Sequence, residues 1–156
     1  MHEEPTIRFV DAMQVAYKRM RGMYSQTPAG LGELYQFVAR EGLQPTGMPT
    51  GVYLTMPDVV PEPEAQWELW APVAPGAENR AEDENHIGIK SVPATKVVSV
   101  MYTGPYDGVG PAYEAAAAFI AEHDHTPCGP PRELWYSDPA EVAPSDYVTE
   151  IQMPVA

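Results

Sequence analysis

The chain has 156 residues, enough for one domain or for two half-sized units that share a core. Its net charge of −13 argues against general binding to nucleic acid or to anionic membranes, which needs clustered Lys and Arg. One cysteine excludes an internal disulfide, no apolar run is long enough to span a bilayer, and the N-terminus lacks a signal peptide. We therefore expect a soluble, cytoplasmic protein.

The first half of the chain predicts the element order strand, strand, helix, strand, strand. Alternating apolar and β-branched residues indicate strands at 7–10 and 14–21. The helix that follows carries an apolar stripe at helical spacing, which consists of Leu31, Leu34, Tyr35 and Val38. Two further strands are predicted at 52–55, closed by Pro57, and at 66–71.

The second half repeats this order after an acidic segment, 74–85, whose few apolar side chains indicate an exposed linker. Its strands are predicted at 87–92, 96–103, 133–137 and 147–153. The apolar stripe of its helix is expected at Tyr113, Ala116, Ala117 and Ile120, where two large side chains of the first helix have become methyl groups. The lost volume leaves either closer packing or a void beside this helix, as a ligand pocket would need.

The two halves are related by a constant offset of 82 positions. Residues 5–73 align without a gap with residues 87–155, and 15 of the 69 aligned positions are identical. Many of the shared residues are Gly and Pro, which fix backbone shape. We predict a single α+β domain with an antiparallel sheet, built from two tandem pseudo-symmetric strand-strand-helix-strand-strand modules, 5–73 and 86–155.

The two copies differ most in chemistry where Gly51 aligns with Glu133. On an extended strand, Glu133 and Trp135 point to the same side, so a carboxylate and an indole share one surface. If that surface is buried, an ionised carboxylate is costly unless it is paired, and an organic cation would supply the missing charge. The alternative is an exposed surface glutamate beside a core tryptophan.

Aromatic side chains with polar tips are concentrated in the second copy. They are Tyr102, Tyr106, Tyr113, Trp135, Tyr136 and Tyr147. Such residues suit the walls of a binding site and hold cations by cation–π attraction, although an ordinary β-rich core uses them too.

Metal and cofactor sites are not predicted. His123, His125 and Cys128 are residue types that bind zinc, but their spacing does not match the usual i, i+4 pair on a helix. The chain also contains no glycine-rich phosphate loop.

Two groups of charged residues are interpreted as structural. Lys18, Arg19 and Arg21 lie on a predicted strand, and we interpret them as a solvated face rather than as a phosphate site. Glu68 and Glu150 occupy equivalent positions of the last strand in each copy, which favours a symmetric structural role over paired catalysis.

Three segments together resemble the GyrI-like small-molecule-binding domain, which also forms the effector-binding half of multidrug-sensing transcription activators. They are Tyr-Thr-Gly-Pro-Tyr at 102–106, Glu-Leu-Trp-Tyr-Ser-Asp-Pro at 133–139 and Thr-Glu-Ile-Gln-Met-Pro-Val at 149–155. The resemblance covers nearly the whole chain, because that domain is itself two strand-strand-helix-strand-strand modules joined by a linker.

The resemblance implies a groove between the modules that takes lipophilic, often cationic molecules. The family's buried counter-charge glutamate maps onto Glu133, and Trp135 stands where the family usually has tyrosine. Tyr106 matches the Gly-Pro-Tyr motif, and Tyr147 lies near the position of a ligand-contacting tyrosine on the final strand. With Tyr113, these residues form the predicted ligand-binding set.

Three functions are therefore considered. The first is binding of a lipophilic, cationic or aromatic small molecule, such as a drug or toxin. The second is hydrolysis of an electrophilic, cyclopropanoid-type toxin with Glu133 as general base. The third is a gyrase-inhibitor-like module that binds a protein partner. Because the first strand begins close to Met1, we expect no helix-turn-helix segment and no direct contact with nucleic acid.

Overall fold

A computed structural model describes residues 1–56 and 59–156, so Pro57 lies outside the described residues. The eight strands are β1 (Thr6–Val10), β2 (Met13–Arg21), β3 (Thr50–Tyr53), β4 (Gln66–Val73), β5 (Ile87–Val92), β6 (Thr95–Thr103), β7 (Arg132–Trp135) and β8 (Val148–Val155). The two α-helices are α1 (Thr27–Arg40) and α2 (Gly110–Glu122). Short 3-10 turns lie at Tyr24–Gln26, Glu62–Glu64, Tyr106–Gly108 and Pro144–Asp146. Within each of the two compact units, the described strand pairs are antiparallel, and the fold is α+β as predicted.

The chain divides into two compact units, each with four strands and one helix. The 12–93 unit holds β3, β4, β2 and β5 in that order, with α1 packed on β2 and β4. The 94–156 unit also includes residues 1–11, and it holds β1, β6, β8 and β7 with α2 packed on β6 and β8. Each unit therefore shows the predicted complement of strands and helix.

The first strand of each repeat pairs with the other repeat. Only Asp11 and Ala12 separate β1 from β2, yet β1 pairs with β6, where Ile7 faces Val98. In the same way, β5 pairs with β2 and not with β6, which follows it in the chain, and Ile89 faces Ala16 in that pair. The compact units thus do not coincide with the sequence repeats, because each unit takes its outermost strand from the other copy.

Helix α1 begins as its sequence predicts, with Pro28 in the first turn, where a missing N–H is tolerated. Leu34 and Val38 of the predicted stripe are buried, and Phe37 is buried beside them. Leu31 and Tyr35 are half-buried at the edge of the contact.

Helix α2 buries a stripe that differs by one position from the predicted one. Ala112, Ala116 and Ile120 are buried, whereas Ala117 is exposed. The expectation for Ala117 was wrong. Residues 112, 116 and 120 are four positions apart, so each lies only about 40° around the helix from the one before it, whereas Ala117 lies about 100° from Ala116, on the exposed side. An alanine-rich helix has too little contrast between its faces to fix that rotation from sequence.

The core of the 94–156 unit lies between α2 and one face of the sheet. Val98, Val100, Ile151 and Ala116 are each fully buried in it. Ile151 pairs with Glu133 of β7, so the side chain of Glu133 belongs to this helix-covered face.

The 74–85 segment is mostly exposed but is tied to the 12–93 unit. The side chain of Gln14 accepts the N–H of Ala77 at 3.1 Å and donates to Asn79 at 3.0 Å. The backbones of Arg80 and Ile89 exchange hydrogen bonds of 2.9 and 3.0 Å. The segment is therefore anchored at several points along its length.

Within the described residues, neither helix has the length and hydropathy needed to cross a lipid bilayer.

Candidate functional site

Glu133 is the second residue of β7 and is only 9% exposed. Its neighbour across the sheet is Ile151, which is fully buried. The strand period places Trp135 on the same face, two residues further along. The carboxylate thus lies inside the apolar layer beneath α2. Of the two alternatives considered from the sequence, a buried and an exposed Glu133, the structure shows the buried one.

Two neutral groups donate hydrogen bonds to this carboxylate. The Tyr113 hydroxyl, from α2, donates to Oε2, and the Trp135 indole Nε1 donates to Oε1 at 3.3 Å. Among the described residues, no Lys, Arg or His lies within ion-pair distance of Glu133. Within the described part of the chain, the carboxylate therefore has hydrogen-bond donors but no counter-ion.

Burial raises the pKa of Glu133 above its ordinary value, and the hydrogen bonds from Tyr113 and Trp135 offset only part of that rise. The cause is desolvation, since a charge in an apolar layer loses its hydration. A cation placed at the carboxylate would restore the ionised form.

Tyr106 and Tyr147 form a stacked aromatic pair in the unit that contains Glu133. Their ring centroids are 4.8 Å apart at 24° between planes, and Tyr106 is 41% exposed. The pKa of Tyr106 is raised first by burial, then by Tyr147 and by the charge of Glu133. The charge of Glu133 thus contributes to the raised pKa of Tyr106.

The structure thus brings Glu133, Trp135 and Tyr113 into direct contact. Tyr106 and Tyr147 stack on each other in the same unit. The positions 82 residues earlier are Gly51, Tyr53, Leu31, Tyr24 and Ala65. The 12–93 unit therefore lacks both the carboxylate and the helix hydroxyl that donates to it, while it keeps aromatic rings at two positions. Carboxylate and donor occur together in one copy and are absent together from the other.

A second buried carboxylate belongs to Glu150, for which the sequence favoured a structural role shared with Glu68 but did not predict the partners. Glu150 is fully buried and accepts hydrogen bonds from Ser99 Oγ at 2.7 Å, Tyr136 at 2.6 Å and Gln152 Nε2 at 3.1 Å. Arg8 of β1 forms an ion pair with it. Burial would raise the pKa of Glu150, but these hydrogen bonds together lower it below its ordinary value.

The same pairing occurs in the 12–93 unit. Lys90 lies 2.6 Å from the carboxylate of Glu68, and Trp70 Nε1 donates to it at 2.9 Å. Arg8 and Lys90 are 82 positions apart, as are Glu68 and Glu150, so each exchanged strand brings a cation to the last strand of its unit. Both copies have a cation at the position of Arg8 and Lys90 and a glutamate at the position of Glu68 and Glu150. This agreement between the copies is the signal from which the ion pairs could have been predicted.

Glu133 and Glu150 therefore lie in opposite electrostatic situations. Glu150 neighbours Ile151 along β8, so it points to the other face of the sheet from Glu133. Its charge is matched by Arg8, whereas the charge of Glu133 is matched by no residue in the described part of the chain.

The histidine candidates do not assemble a metal site. His123 and His125 stack on Phe119, with ring centroids 4.0 and 6.1 Å away, and Cys128 is exposed. In the ranges 1–56 and 59–156, no three His, Cys, Asp or Glu side chains are grouped as metal ligands.

The fold and the site define an α+β domain of two four-stranded units. One of them holds a buried glutamate that contacts aromatic side chains and has no cationic partner among the described residues. The model of the GyrI-like small-molecule-binding domain matches residues 3–156, and this chain belongs to that family. No curated protein sequence matches the chain significantly.

Solved structures similar to this chain include several at low sequence identity. The C-terminal domain of EcmrR has a TM-score of 0.83 at 21% identity, over 98% of this chain and 97% of that domain. In the EcmrR–DNA complex, the match has a TM-score of 0.84 at 21% identity, and the chain spans 99% of its own length but only 57% of the EcmrR chain.

Two further similar structures carry descriptions of activity or ligand. A hydrolase from Listeria innocua has a TM-score of 0.72 at 13% identity, over 98% of this chain and 92% of that one. SAV2435 bound to tetraphenylphosphonium has a TM-score of 0.58 at 16% identity, over 99% and 94% of the two chains. At these identities the likeness shows the fold.

Proposed function

We propose that the 94–156 unit binds a lipophilic or aromatic organic cation, with Glu133 as its counter-ion. One observation carries the proposal: Glu133 is 9% exposed and has two neutral hydrogen-bond donors but no cationic partner among the described residues. An unpaired buried carboxylate lowers stability, so its retention is explained by a partner that arrives from solution.

The surrounding rings suit such a ligand. Trp135 and the exposed face of Tyr106 offer aromatic surface beside the carboxylate, and each cation–π contact contributes about 0.5–2 kcal/mol. The net charge of −13 raises the concentration of cations near the protein and speeds their encounter. Charge, aromatic area and long-range attraction therefore favour the same class of ligand.

The comparisons support this class. The chain belongs to a family of small-molecule-binding domains, and the similar protein SAV2435 was solved with tetraphenylphosphonium, a lipophilic aromatic cation. The cation would enter beside the Tyr106–Tyr147 pair, whose outer ring is the most exposed part of the site.

The test is binding of tetraphenylphosphonium measured by calorimetry with matched variants. Glu133→Gln keeps the size of the side chain and removes the charge, so the affinity should fall by roughly 10- to 100-fold. Glu114→Gln removes one negative charge from an exposed position of α2, and its affinity should stay within about twofold of the parent. If both variants lose affinity equally, the loss comes from the change in net charge alone, and Glu133 is not the counter-ion.

A second candidate is hydrolysis at the same site. The raised pKa of Glu133 makes it a stronger base than an ordinary carboxylate, and the Tyr113 hydroxyl is already within hydrogen-bond reach of it. Glu133 would take a proton from water as the water oxygen attacks an electrophilic cyclopropane carbon. The ring C–C bond to that carbon would break, and its electron pair would pass to a conjugated carbonyl oxygen of the substrate. Tyrosine hydroxyls would stabilise this oxyanion until the proton held by Glu133 is returned to it. One of the similar structures is a hydrolase.

Mass spectrometry of an electrophilic cyclopropane substrate, incubated with the protein, separates the two candidates. Catalysis predicts a gain of 18 mass units that Glu133→Gln abolishes while binding of the substrate persists. An unchanged substrate after many protein equivalents and long incubation leaves binding as the function.

A further inference from the structure

A cavity of about 640 Å³ lies in the 12–93 unit, beside the first turns of α1. Its apolar wall is formed by Met20, Leu54, Trp67 and the helix residues Ala29 and Gly30. The sequence had led us to expect a void beside the second helix as one alternative, whereas this cavity lies beside the first. Its volume falls within the usual range for small-molecule sites.

The carboxylates that line this cavity already have cationic partners. Glu33 lies 3.0 Å from Lys18, and Glu82 lies 3.2 Å from Arg19. The Lys18 side chain is only 12% exposed, so the expectation of a solvated strand face was wrong at this residue. It is held in place by Glu33 and by the backbone oxygen of Asn85 at 2.7 Å.

One cationic side chain in the wall has no ion-pair partner among the residues the structure describes. It is Arg21, the last residue of β2. Trp67 also lines the cavity, but its indole N–H is buried and has no hydrogen-bond partner in the described ranges. Arg21 is therefore the group in the wall that pairs with an acid group on a ligand.

These polar groups belong to one repeat only. The positions 82 residues after Lys18, Arg21 and Trp67 are Val100, Thr103 and Thr149. The position after Glu33 is Ala115. The donors are therefore not part of the framework that the two copies share.

We propose that this cavity binds an amphipathic organic anion, a carboxylate or sulfonate with an aromatic or aliphatic body. Arg21 pairs with the acid group, and the body packs on Met20, Leu54 and the Trp67 ring. Because Tyr24 packs on Trp67 at 4.8 Å between ring centroids, the indole is fixed in position. This site would have the opposite charge preference to the Glu133 site.

The experiment is a fluorescence titration with 8-anilinonaphthalene-1-sulfonate, an aromatic sulfonate. Arg21→Gln should weaken saturable binding roughly tenfold, because a charge-assisted pair is lost. Ala29→Trp, at an exposed helix position that lines the cavity, should weaken it at least as much by filling the space. Arg40→Gln, an equal change of charge at the exposed end of α1, should leave the dissociation constant within twofold.

The two sites are distinguished in the same titrations. Glu133→Gln should leave the affinity for the sulfonate unchanged, and Ala29→Trp should leave the affinity for tetraphenylphosphonium unchanged. Absence of saturable sulfonate binding, or equal affinity in the parent, Arg21→Gln and Ala29→Trp proteins, would overturn the proposal. Arg21 is exposed and its substitution does not disturb the core, so this variant remains informative if Ala29→Trp fails to fold.

Discussion

Neutralising Glu133 should make the protein more stable at neutral pH, whereas neutralising Glu150 should make it less stable. In Glu133→Gln, the amide oxygen still accepts from Trp135, and the amide N–H₂ donates to the oxygen of Tyr113. The hydrogen bonds are kept and an uncompensated buried charge is removed. We expect a gain of about 1 kcal/mol, or about 2–4 °C in Tm for a chain of this size.

Glu150→Gln has the opposite expected sign. The charge of Glu150 is matched by Arg8 and by three further donors, so its removal weakens several charge-assisted bonds together. Because Arg8 is half-exposed, we expect Glu150→Gln to lower the free energy of unfolding by about 2–3 kcal/mol, less than the loss of a partner from a fully buried ion pair. The Tm should fall by about 5–10 °C.

The two effects should also depend on pH in opposite ways. Burial holds the pKa of Glu133 above the value it has in the unfolded chain, so the folded state binds the carboxyl proton more tightly than the unfolded state does. As pH rises and Glu133 ionises, the folded state is therefore destabilised. The advantage of Glu133→Gln is therefore expected to disappear as pH falls below the unfolded pKa. The pKa of Glu150 is lowered, so its stabilisation is present above the unfolded pKa and is lost as pH falls through the folded one.

Thermal unfolding followed by circular dichroism from pH 4 to pH 8 measures both differences. A destabilised Glu133→Gln protein at pH 7.5, with the same pH dependence as Glu150→Gln, would refute the view that Glu133 lacks a counter-ion. Glu114→Gln serves as the control for a change in net charge alone.

Three further predictions concern individual contacts. Arg8→Gln removes the cation of the Glu150 network and should lower stability by about 1–2 kcal/mol in denaturant titrations; an unchanged midpoint would count against the ion pair. Gly88→Ala brings a Cβ to 2.6 Å from the Arg80 carbonyl oxygen and should cost about 1–3 kcal/mol, whereas Gly32→Ala, with open space around it, should not destabilise. Tyr113→Phe removes a donor that lowers the pKa of Glu133, so cation binding should be lost at a higher pH on acidification; an unshifted pH profile would contradict that contact.

The element order was predictable because each copy alternates clearly and ends its elements at Gly or Pro. The partner of each first strand was not, since periodicity identifies a strand without saying which strand it pairs with. Arg8 is the clearest consequence: its role at Glu150 depends on β1 joining β6, which the sequence spacing of two residues between β1 and β2 would not suggest.

The part of the candidate site that depends on local geometry was predictable from the sequence, and the part that depends on how α2 packs was not. Comparison of the copies singled out Glu133, and strand alternation placed Trp135 beside it, because both follow from local geometry. The contact from Tyr113 depends on the rotation of α2 over the sheet, and the misplaced Ala117 shows that this rotation was not encoded in an apolar pattern of alanines. Arg21 and Trp67 come together through the pairing of β2 with β4, where Met20 faces Trp67, and α1, which packs on the same two strands, completes the cavity wall.

The most direct test of the central claim is the proton balance of cation binding. Rhodamine 6G carries a fixed positive charge, so calorimetry at pH 5–6 in two buffers of different ionisation enthalpy counts the protons that the protein releases. If the cation pairs with Glu133, binding to the parent protein releases protons because the raised pKa falls on pairing, and Glu133→Gln binds more weakly and releases none. Equal affinity and equal proton release in the two proteins would contradict Glu133 as the counter-ion.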